Sequence, residues 1–535
     1  MSSLTTVLIA GAGLGGLMMA ILLDRAGIDY IVFEKSEHLR ALGSATNLGC
    51  NILPLFAQLG LQDELYKISK PSSTVNVYNE TMDRIGHINY EEYISTCGYV
   101  SRTMARPDLH ALLLAQVPAS KIQLGKKIQE ISQDASKVTI TCSDGLSFHG
   151  NLLIGSDGAY SKVRQSLFRQ LDKQHLLPKA DAENLTACHM SVLGITRPVD
   201  PERYPVVLEP GTRYESVIGT NKPNTWRYFT IPGNRICWRI DHHLAADAIS
   251  SSSSSALNNS NKSNNDNNDN NAPPQPSTSS TNALSTRVSQ DPHAKISSCA
   301  TTISPSSSSI TVATTSTDTT ATATTTAAHA ADANLLEWGT ESSDAIPDDW
   351  CKFPCPIGGT MGDLIGQTPR EVVSKVVLEE KLYQTWYHGR VVLIGDACHK
   401  MLPNSGRGAV NAMLDAVVLT NALYEKVALS ATLENVQVAF KEYYDERYPH
   451  AVAEIERSKR MARVVAGQTW FDTLARKVFF TLLPKRFQDN SYAAMLTYRP
   501  QLSFLPLVPE RGSVPALPQR KTTRTRERYY DVQVI

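Results

Sequence analysis

The sequence predicts an α/β fold in which a Rossmann-like dinucleotide-binding domain is joined to an antiparallel-sheet domain and a set of C-terminal helices. Three observations predict it. The apolar run Thr6–Ala10 leads into Gly11-Ala12-Gly13-Leu14-Gly15-Gly16 and then an apolar stretch to Ala26, the strand, tight turn and helix that open a βαβ unit. Between Met190 and Ile240 lie several short segments of alternating apolar character, the pattern of half-buried strands. Far along the chain a second apolar run, Arg390–Ile394, ends in Gly395-Asp396-Ala397-Cys398-His399 and leads toward a long amphipathic helix.

Composition narrows the classes of function. A chain of 535 residues has room for roughly two or three domains with full apolar cores. Lys plus Arg and Asp plus Glu are equal at 52 each, so no overall field recruits nucleic acid or acidic lipid, and no nucleic-acid partner is expected. The nine cysteines (50, 97, 142, 188, 237, 299, 351, 355 and 398) are odd in number and scattered, which argues for free thiols in a reducing, cytoplasmic setting. Cys351 and Cys355 lack a second Cys or His pair nearby, so no metal site is expected. Val7 to Leu23 carries no charge, yet it has no basic leader and its glycines fall where a strand-turn-helix needs them. No membrane span is predicted, and peripheral contact is the most membrane engagement expected.

Taken in order, Thr6–Ala10 reads as a strand, Leu14–Ala26 as a helix and Tyr30–Phe33 as a strand. Strands are expected near Ile122–Leu124, Lys126–Ile131, Lys137–Cys142 and Leu152–Ile154, then a helix near Tyr160–Arg169. Met190–Ile195, Val206–Leu208, Ser216–Ile218, Arg227–Ile231 and Ile236–Ile240 form the predicted antiparallel sheet. Pro369–Leu382 reads as a helix, Arg390–Ile394 as a buried strand, and Ala409–Lys426, Leu433–Ala466 and Thr469–Leu483 as helices. The resulting plan divides 1–180 (dinucleotide-binding domain, first part), 181–245 (second domain, first part) and 246–333 (insertion). It continues with 334–385 (second domain, second part), 386–430 (dinucleotide-binding domain, second part), 431–515 (helical region) and 516–535 (tail). In the insertion the composition collapses to Ser, Asn, Thr and Ala, with poly-Ser at Ser250–Ser255, too little apolar surface to fold. The basic run Arg520–Arg528 reads as a solvated tail.

The motifs carry the chemistry. Gly11, Gly13 and Gly16 supply a tight bend, close backbone approach to a pyrophosphate, and close packing of the helix on the strand. Glu34 ends the next strand, where a carboxylate accepts hydrogen bonds from an adenosine ribose. Arg106 opens Arg-Pro-Asp-Leu-His, with Pro107 in the first turn of a helix and Asp108 favouring its N-terminus. Gly155-Ser156-Asp157-Gly158, followed by Ser161 and Arg164, places a carboxylate on flexible backbone at a strand end; alone it is equally a plain turn. Asp396 can hold a polyol hydroxyl, while Gly408 and Ala409 open a helix whose free N–H groups and dipole suit a ring that becomes negative on reduction.

Together these motifs resemble the FAD-dependent aromatic hydroxylases, the 4-hydroxybenzoate hydroxylase-like group A flavin monooxygenases. The wording His399-Lys400-Met401 and Pro403-Asn404 is most similar to the fungal secondary-metabolite epoxidase and hydroxylase branch. The resemblance implies a Rossmann-like FAD-binding domain with an antiparallel-sheet substrate domain and C-terminal helices. It implies Glu34 on the ribose, Arg106 and Asp396 on the ribitol and phosphates, Ala409 beside the isoalloxazine, and Asn47 in an early flavin-contact loop. It also implies Asp157 serving FAD and the visiting NADPH or NADH. The activity implied is hydroxylation or epoxidation of a small lipophilic or aromatic substrate with O2, through a flavin hydroperoxide. Arg407 stands where the family has Gln and Cys398 where it has Ala. No catalytic side chain is assigned: His399 shows no carboxylate partner in the sequence and reads as structural, and Tyr214 and Tyr228 are candidates to orient substrate.

Three other readings are weighed. A flavin halogenase carries Trp-x-Trp-x-Ile-Pro, and Arg227-Tyr228-Phe229-Thr230-Ile231-Pro232 lacks both tryptophans. A disulfide reductase needs a redox cysteine pair, which the sequence does not show. A non-catalytic flavin-binding sensor or interaction protein, its insertion engaging partners, stands as the alternative.

Overall fold

The computed structural model describes residues 5–39, 43–89, 94–183, 185–219, 224–243, 346–402, 406–466, 470–478 and 496–523. The insertion 246–333, the residues Pro403, Asn404 and Ser405, and the end of the predicted helix Thr469–Leu483 lie outside them.

In chain order the strands are β1 (Thr6–Ala10), β2 (Asp29–Phe33), β3 (Ala45–Leu48), β4 (Lys70–Asn79), β5 (Arg84–Asn89), β6 (Arg102–Ala105), β7 (Ile122–Gln123), β8 (Ile128–Gln133), β9 (Val138–Cys142) and β10 (Ser147–Gly150). They continue with β11 (Leu152–Gly155), β12 (Thr186–Ile195), β13 (Thr212–Ile218), β14 (Asn224–Ile231), β15 (Arg235–His243), β16 (Ser374–Leu382), β17 (Tyr387–His388), β18 (Val391–Leu393) and β19 (His399–Lys400). The longer helices are α1 (Leu14–Ala26), α2 (Arg106–Leu114), α3 (Lys162–Lys173), α4 (Gly408–Lys426) and α5 (Leu433–Ala466).

One sheet has the order β17-β18-β11-β1-β2-β7 and is parallel except for β17. Its central strands are apolar throughout, because both faces are covered. Val7, Leu8, Ile9, Leu152, Leu153 and Ile154 are all fully buried in the main core, together with α1 and α4. The strands β8, β9 and β10 make a small meander that sends Ile131, Val138 and Ile140 into the same core. A larger sheet runs β19-β16-β12-β15-β14-β13-β4-β6-β3, with β5 beside β4. Its alternation is clean on β14 and β15: Trp226, Tyr228, Trp238 and Ile240 face a second core that holds Trp350, Phe353 and Leu364.

Two expectations are corrected. Pro369–Leu382 is not a helix: Pro369 opens a short turn at Arg370–Val372, and Ser374–Leu382 is strand β16, antiparallel to β12. Its Glu/Lys-rich end favours helix locally, but Val376 and Val377 and the ladder with β12 prevail. Val206–Leu208 is not a strand but part of the helical turn Pro205–Leu208, where Pro205 removes a ladder donor. The large sheet also takes β3, β4, β5 and β6 from within 1–180, and β4 runs parallel to β13.

The tail is also more engaged than a solvated segment. Arg520 pairs with Glu442 on α5, and Thr523 Oγ1 donates to Glu425 on α4 at 2.7 Å. Among the described residues no helix is long and apolar enough to cross a membrane.

Candidate functional site

The glycine turn after β1 is dictated by sterics. Gly11 has φ +101°, donates its N–H to Phe33 O at 2.7 Å, and a Cβ there would stand 2.6 Å from Ser156 O. A Cβ on Gly16 would lie 2.0 Å from Gly11 O, so α1 sits flush against the turn. Gly13 differs: a Cβ there meets nothing within 4 Å, and α1 begins immediately after it with no side-chain cap. Open backbone at an uncapped helix N-terminus is an anion site. Glu34 is fixed beside it, accepting from Ala12 N–H at 2.9 Å and Ser36 N–H at 3.0 Å.

The distant motifs converge on the same place. Ala412, in the first turns of α4, would be 3.1 Å from a Cβ on Gly15 and is 2.9 Å from one on Gly395. Glycine therefore lets the start of α1, the start of α4 and the turn after β18 come together. α4 begins at Gly408 and Ala409, again without a side-chain cap, and a Cβ on Gly408 meets nothing within 4 Å. Asp396 is exposed beside these helix starts and acts electrostatically on Arg106, the first residue of α2. Surrounding protein pushes the Arg106 guanidinium below its usual range and Asp396 draws it back, although Arg106 itself keeps an exposed surface. His110, one turn along α2, meets Ala12 O through a ring nitrogen at 2.8 Å and ties this helix to the glycine turn. Asn47 lies on β3 next to β6; its amide nitrogen donates to Ser72 Oγ at 2.5 Å and Thr103 Oγ1 at 2.9 Å.

Asp157 is a helix cap in addition to its expected place in the site. Its Oδ2 accepts from Lys162 N–H at 2.7 Å and Val163 N–H at 3.3 Å at the start of α3, and Ser161 Oγ accepts from Arg164 N–H at 2.9 Å. Its other oxygen is buried with no partner among the described residues, and burial pushes the carboxyl up. Arg164 links this turn to the distant one, donating to Ala397 O at 2.9 Å and Ala159 O at 2.7 Å.

His399 does have a carboxylate partner, which corrects the sequence reading. Asp415, fully buried on α4, accepts from His399 Nε2 at 2.6 Å, Gly395 N–H at 2.8 Å and Arg447 Nε at 2.7 Å. Burial pushes Asp415 up, but His399 and Arg447 outweigh it and hold the carboxyl below its ordinary value. Cys398, His399 and Asp415 are close enough to suggest a cation site. Arg447 already supplies the positive charge there, and the trio serves to lock the Gly395 turn onto α4 and α5. Nothing in the sequence marks Arg447, one of four arginines in an amphipathic helix. Asp415 is visible only as part of a motif.

Arg407, the departure before α4, is turned to α5 and pairs with Glu454 at 2.8 Å. It lines a small polar cavity of about 110 Å³ with Asn51, Asn411, His450, Arg457 and Tyr498. The two candidate tyrosines part company. Tyr228 is 2% exposed inside the second core, so it packs and does not orient substrate. Tyr214 is half-buried on the opposite face, its ring 4.3 Å from that of Phe229.

This donor set fits FAD. Two uncapped helix starts with open glycines suit the pyrophosphate and an electron-rich ring; Glu34 suits a ribose; Asp396 and Arg106 suit polyol and phosphate. The buried, unpartnered oxygen of Asp157 is a further acceptor, on a residue whose Cα would lie 3.0 Å from a Cβ on Gly11.

Known proteins share this chain's family and fold. Residues 4–208 and 359–458 match the family described as FAD binding domain, more than half of the chain. The FAD-dependent monooxygenase esdpE of Penicillium shearii is 25% identical, covering 87% of this chain and 79% of that one. The 6-hydroxynicotinate 3-monooxygenase of Bordetella bronchiseptica is 23% identical, covering 87% and 92%. Among solved structures, HpxO of Klebsiella pneumoniae complexed with FAD and uric acid superposes with a TM-score of 0.63 at 16% identity, over 93% of this chain and 98% of that one, a likeness of fold. The chain belongs to the FAD binding domain family and is an FAD-dependent oxidoreductase of the group A flavin monooxygenase kind.

Proposed function

We propose that FAD lies across the junction of α1, α4 and the Gly395 turn, and that the protein uses NADPH or NADH and O2 to hydroxylate or epoxidise a small lipophilic or aromatic substrate on the adjoining face of the large sheet. The observation that carries this reading is the convergence of the Gly11–Gly16 turn and the Gly395–Gly408 segment on Ala412. FAD, when bound, supplies the redox chemistry by which one oxygen atom of O2 reaches the substrate. The chain's own residues bind and orient. Gly11, Gly13, Gly16 and the α1 N-terminus hold the pyrophosphate; Glu34 holds the ribose; Arg106 and Asp396 take the ribitol and phosphates. Gly408 and Ala409 aim N–H groups at the reactive ring, Asp157 serves FAD and the nicotinamide, and Asn47 braces the flavin from β3.

The helix dipole of α4 contributes roughly 0.3–1 kcal/mol toward a negative ring, enough to tune it without driving the reaction alone. No side chain needs to act as acid or base, and His399, buried against Asp415, stays structural. The free cysteines 50, 142, 237, 351, 355 and 398 support a cytoplasmic setting.

The test is purified protein mixed with NADPH or NADH under air. A yellow protein with slow oxidation of the nicotinamide, accelerated by the right lipophilic compound, is expected; a protein that takes up no FAD on reconstitution ends the proposal. Asp396→Ala is expected to weaken FAD binding about tenfold or more, since it removes hydrogen bonds from a charged group. Unchanged affinity in a dialysis titration removes Asp396 from the site.

A further inference from the structure

Two buried cysteines far apart in sequence meet just past β3, and no part of the flavin site employs them. Antiparallel pairing sets Leu48 of β3 opposite Arg102 of β6, and a Cβ on Gly49 would stand 3.5 Å from Ser101 Oγ. That register carries Cys50 toward Cys97, the last residue of the short helix Ile94–Cys97 ahead of β6. The Cys50 thiol donates a hydrogen bond to the Cys97 sulfur, and Cys97 Sγ in turn donates to Tyr99 O at 3.2 Å. Both side chains lie in the main core as thiols, 1% and 5% exposed.

Buried thiols are as a rule inert packing. This pair differs in its surroundings. Arg499, only 3% exposed, donates to Cys97 O through Nη1 at 3.4 Å, and its charge favours thiolate over thiol. The hydrogen bond from Cys50 holds the Cys97 thiol below its ordinary range against the effect of burial, while Cys50 itself is pushed up. A nucleophilic sulfur is thus seated against a protonated one. The polar cavity beside α4 counts Arg407 and Asn51 in its wall; Asn51 follows Cys50, Arg407 precedes Gly408, and the Arg407 charge is felt at Cys50.

We propose that Cys50 and Cys97 are a peroxide-responsive pair that closes to a disulfide, with Cys97 the attacking sulfur and Cys50 the resolving one. The co-reactant is hydrogen peroxide, released when reduced flavin meets O2 without a substrate to oxygenate; that source rests on the flavin monooxygenase reading. Cys97 sulfur attacks one peroxide oxygen, so that an S–O bond forms, the O–O bond breaks, and the departing hydroxide becomes water with the proton Cys97 sheds. Cys50 sulfur then attacks the Cys97 sulfenic acid. The S–S bond forms, the S–O bond breaks, and the Cys50 proton leaves with the hydroxide as a second water. Two thiols lose two electrons and two protons, and one peroxide takes them up. Closure staples the turn between Asn47 and Asn51 to a segment already strapped by the chain's end, where Ser513 N–H and Val514 N–H donate to Ser95 O and Thr96 O at 3.0 Å each.

The experiment uses the FAD-loaded full chain and reads each cysteine by alkylation and peptide mass mapping. Added hydrogen peroxide is expected to remove two of the nine titratable thiols first, as a linked Cys50–Cys97 peptide two hydrogens lighter than its reduced parts. Dithiothreitol restores both. Cys50→Ser is expected to strand Cys97 as a sulfenic acid that dimedone labels, whereas Cys97→Ser leaves Cys50 unlabelled. The proposal is overturned if both stay reduced in folded protein while half-buried Cys351 oxidises, or if the two single variants label equally. Should a variant fail to fold, the wild-type map decides alone. A second map is taken after oxidation of NADPH under air, with and without catalase. A link that forms with added peroxide but not during that oxidation strikes the flavin reading and leaves the pair standing.

Discussion

The two sheets shape their surroundings by different means. Around β1 and β18 the work falls to the main chain: glycines that fit where no Cβ can, and helix starts whose N–H groups stay free. On β12, β14 and β15 it falls to side chains, set on one face by strand alternation. Backbone recognition depends on shape, so single atoms decide it. Side-chain recognition depends on charge and register, and exchanging residues on one face can re-aim it without disturbing the ladder.

That contrast can be broken at several points. The largest effect is expected from Arg447→Met, which leaves Asp415 buried with an uncompensated charge; a loss of about 3–5 kcal/mol in chemical denaturation is anticipated. A stability within error of wild type would show that the Gly395 turn needs no such lock. Gly16→Ala comes next, because its methyl group collides with the main chain at Gly11, and overpacking of this sort costs about 1–3 kcal/mol. Gly13→Ala sharpens the comparison: its methyl group meets open space, so melting should hold while FAD affinity falls, and a titration that finds unchanged affinity removes Gly13 from the pyrophosphate site.

The smallest effect concerns pH. Burial and the neighbouring Arg447 lower His450 from 6.5 to about 4. Below 6.5 the unfolded chain takes up this proton before the folded one, so stability declines as pH falls through that window toward 4. His450→Gln should flatten the melting temperature between those limits. A slope identical to wild type would assign the effect to other groups.

The backbone-driven half was the more legible. Steric demands on Gly11 and Gly16 are written in residue type alone, and β1, α1, β2, β11, β18 and α4 were all placed within a few residues. The strand β16 is masked in the sequence because its Glu-Glu-Lys-Leu end suits a helix, and only its long-range partner β12 decides otherwise. Strands β3 to β6 went unseen for a related reason: short segments such as Arg102–Ala105 gain their identity from partners far away in sequence. His399 looked solitary because Asp415 is brought to it by a helix turn, and Arg227, Asp241 and Arg239 meet only once adjacent strands are in register.

The helix α5 carries a last consequence. Pro449, inside its 34 residues, has no N–H to offer, which interrupts the rung to Asp445 near the midpoint. Ahead of that gap Phe440 and Tyr443 are embedded in the main core and Arg447 is fully buried; beyond it Ser458 bonds Leu402 O at 2.9 Å and Ala462 rests on Leu378 of β16. One rod therefore clamps both halves yet comes in two separately editable lengths. Selection acting on its distal turns can reshape the roof over the sheet while the grip on the nucleotide stays as it was.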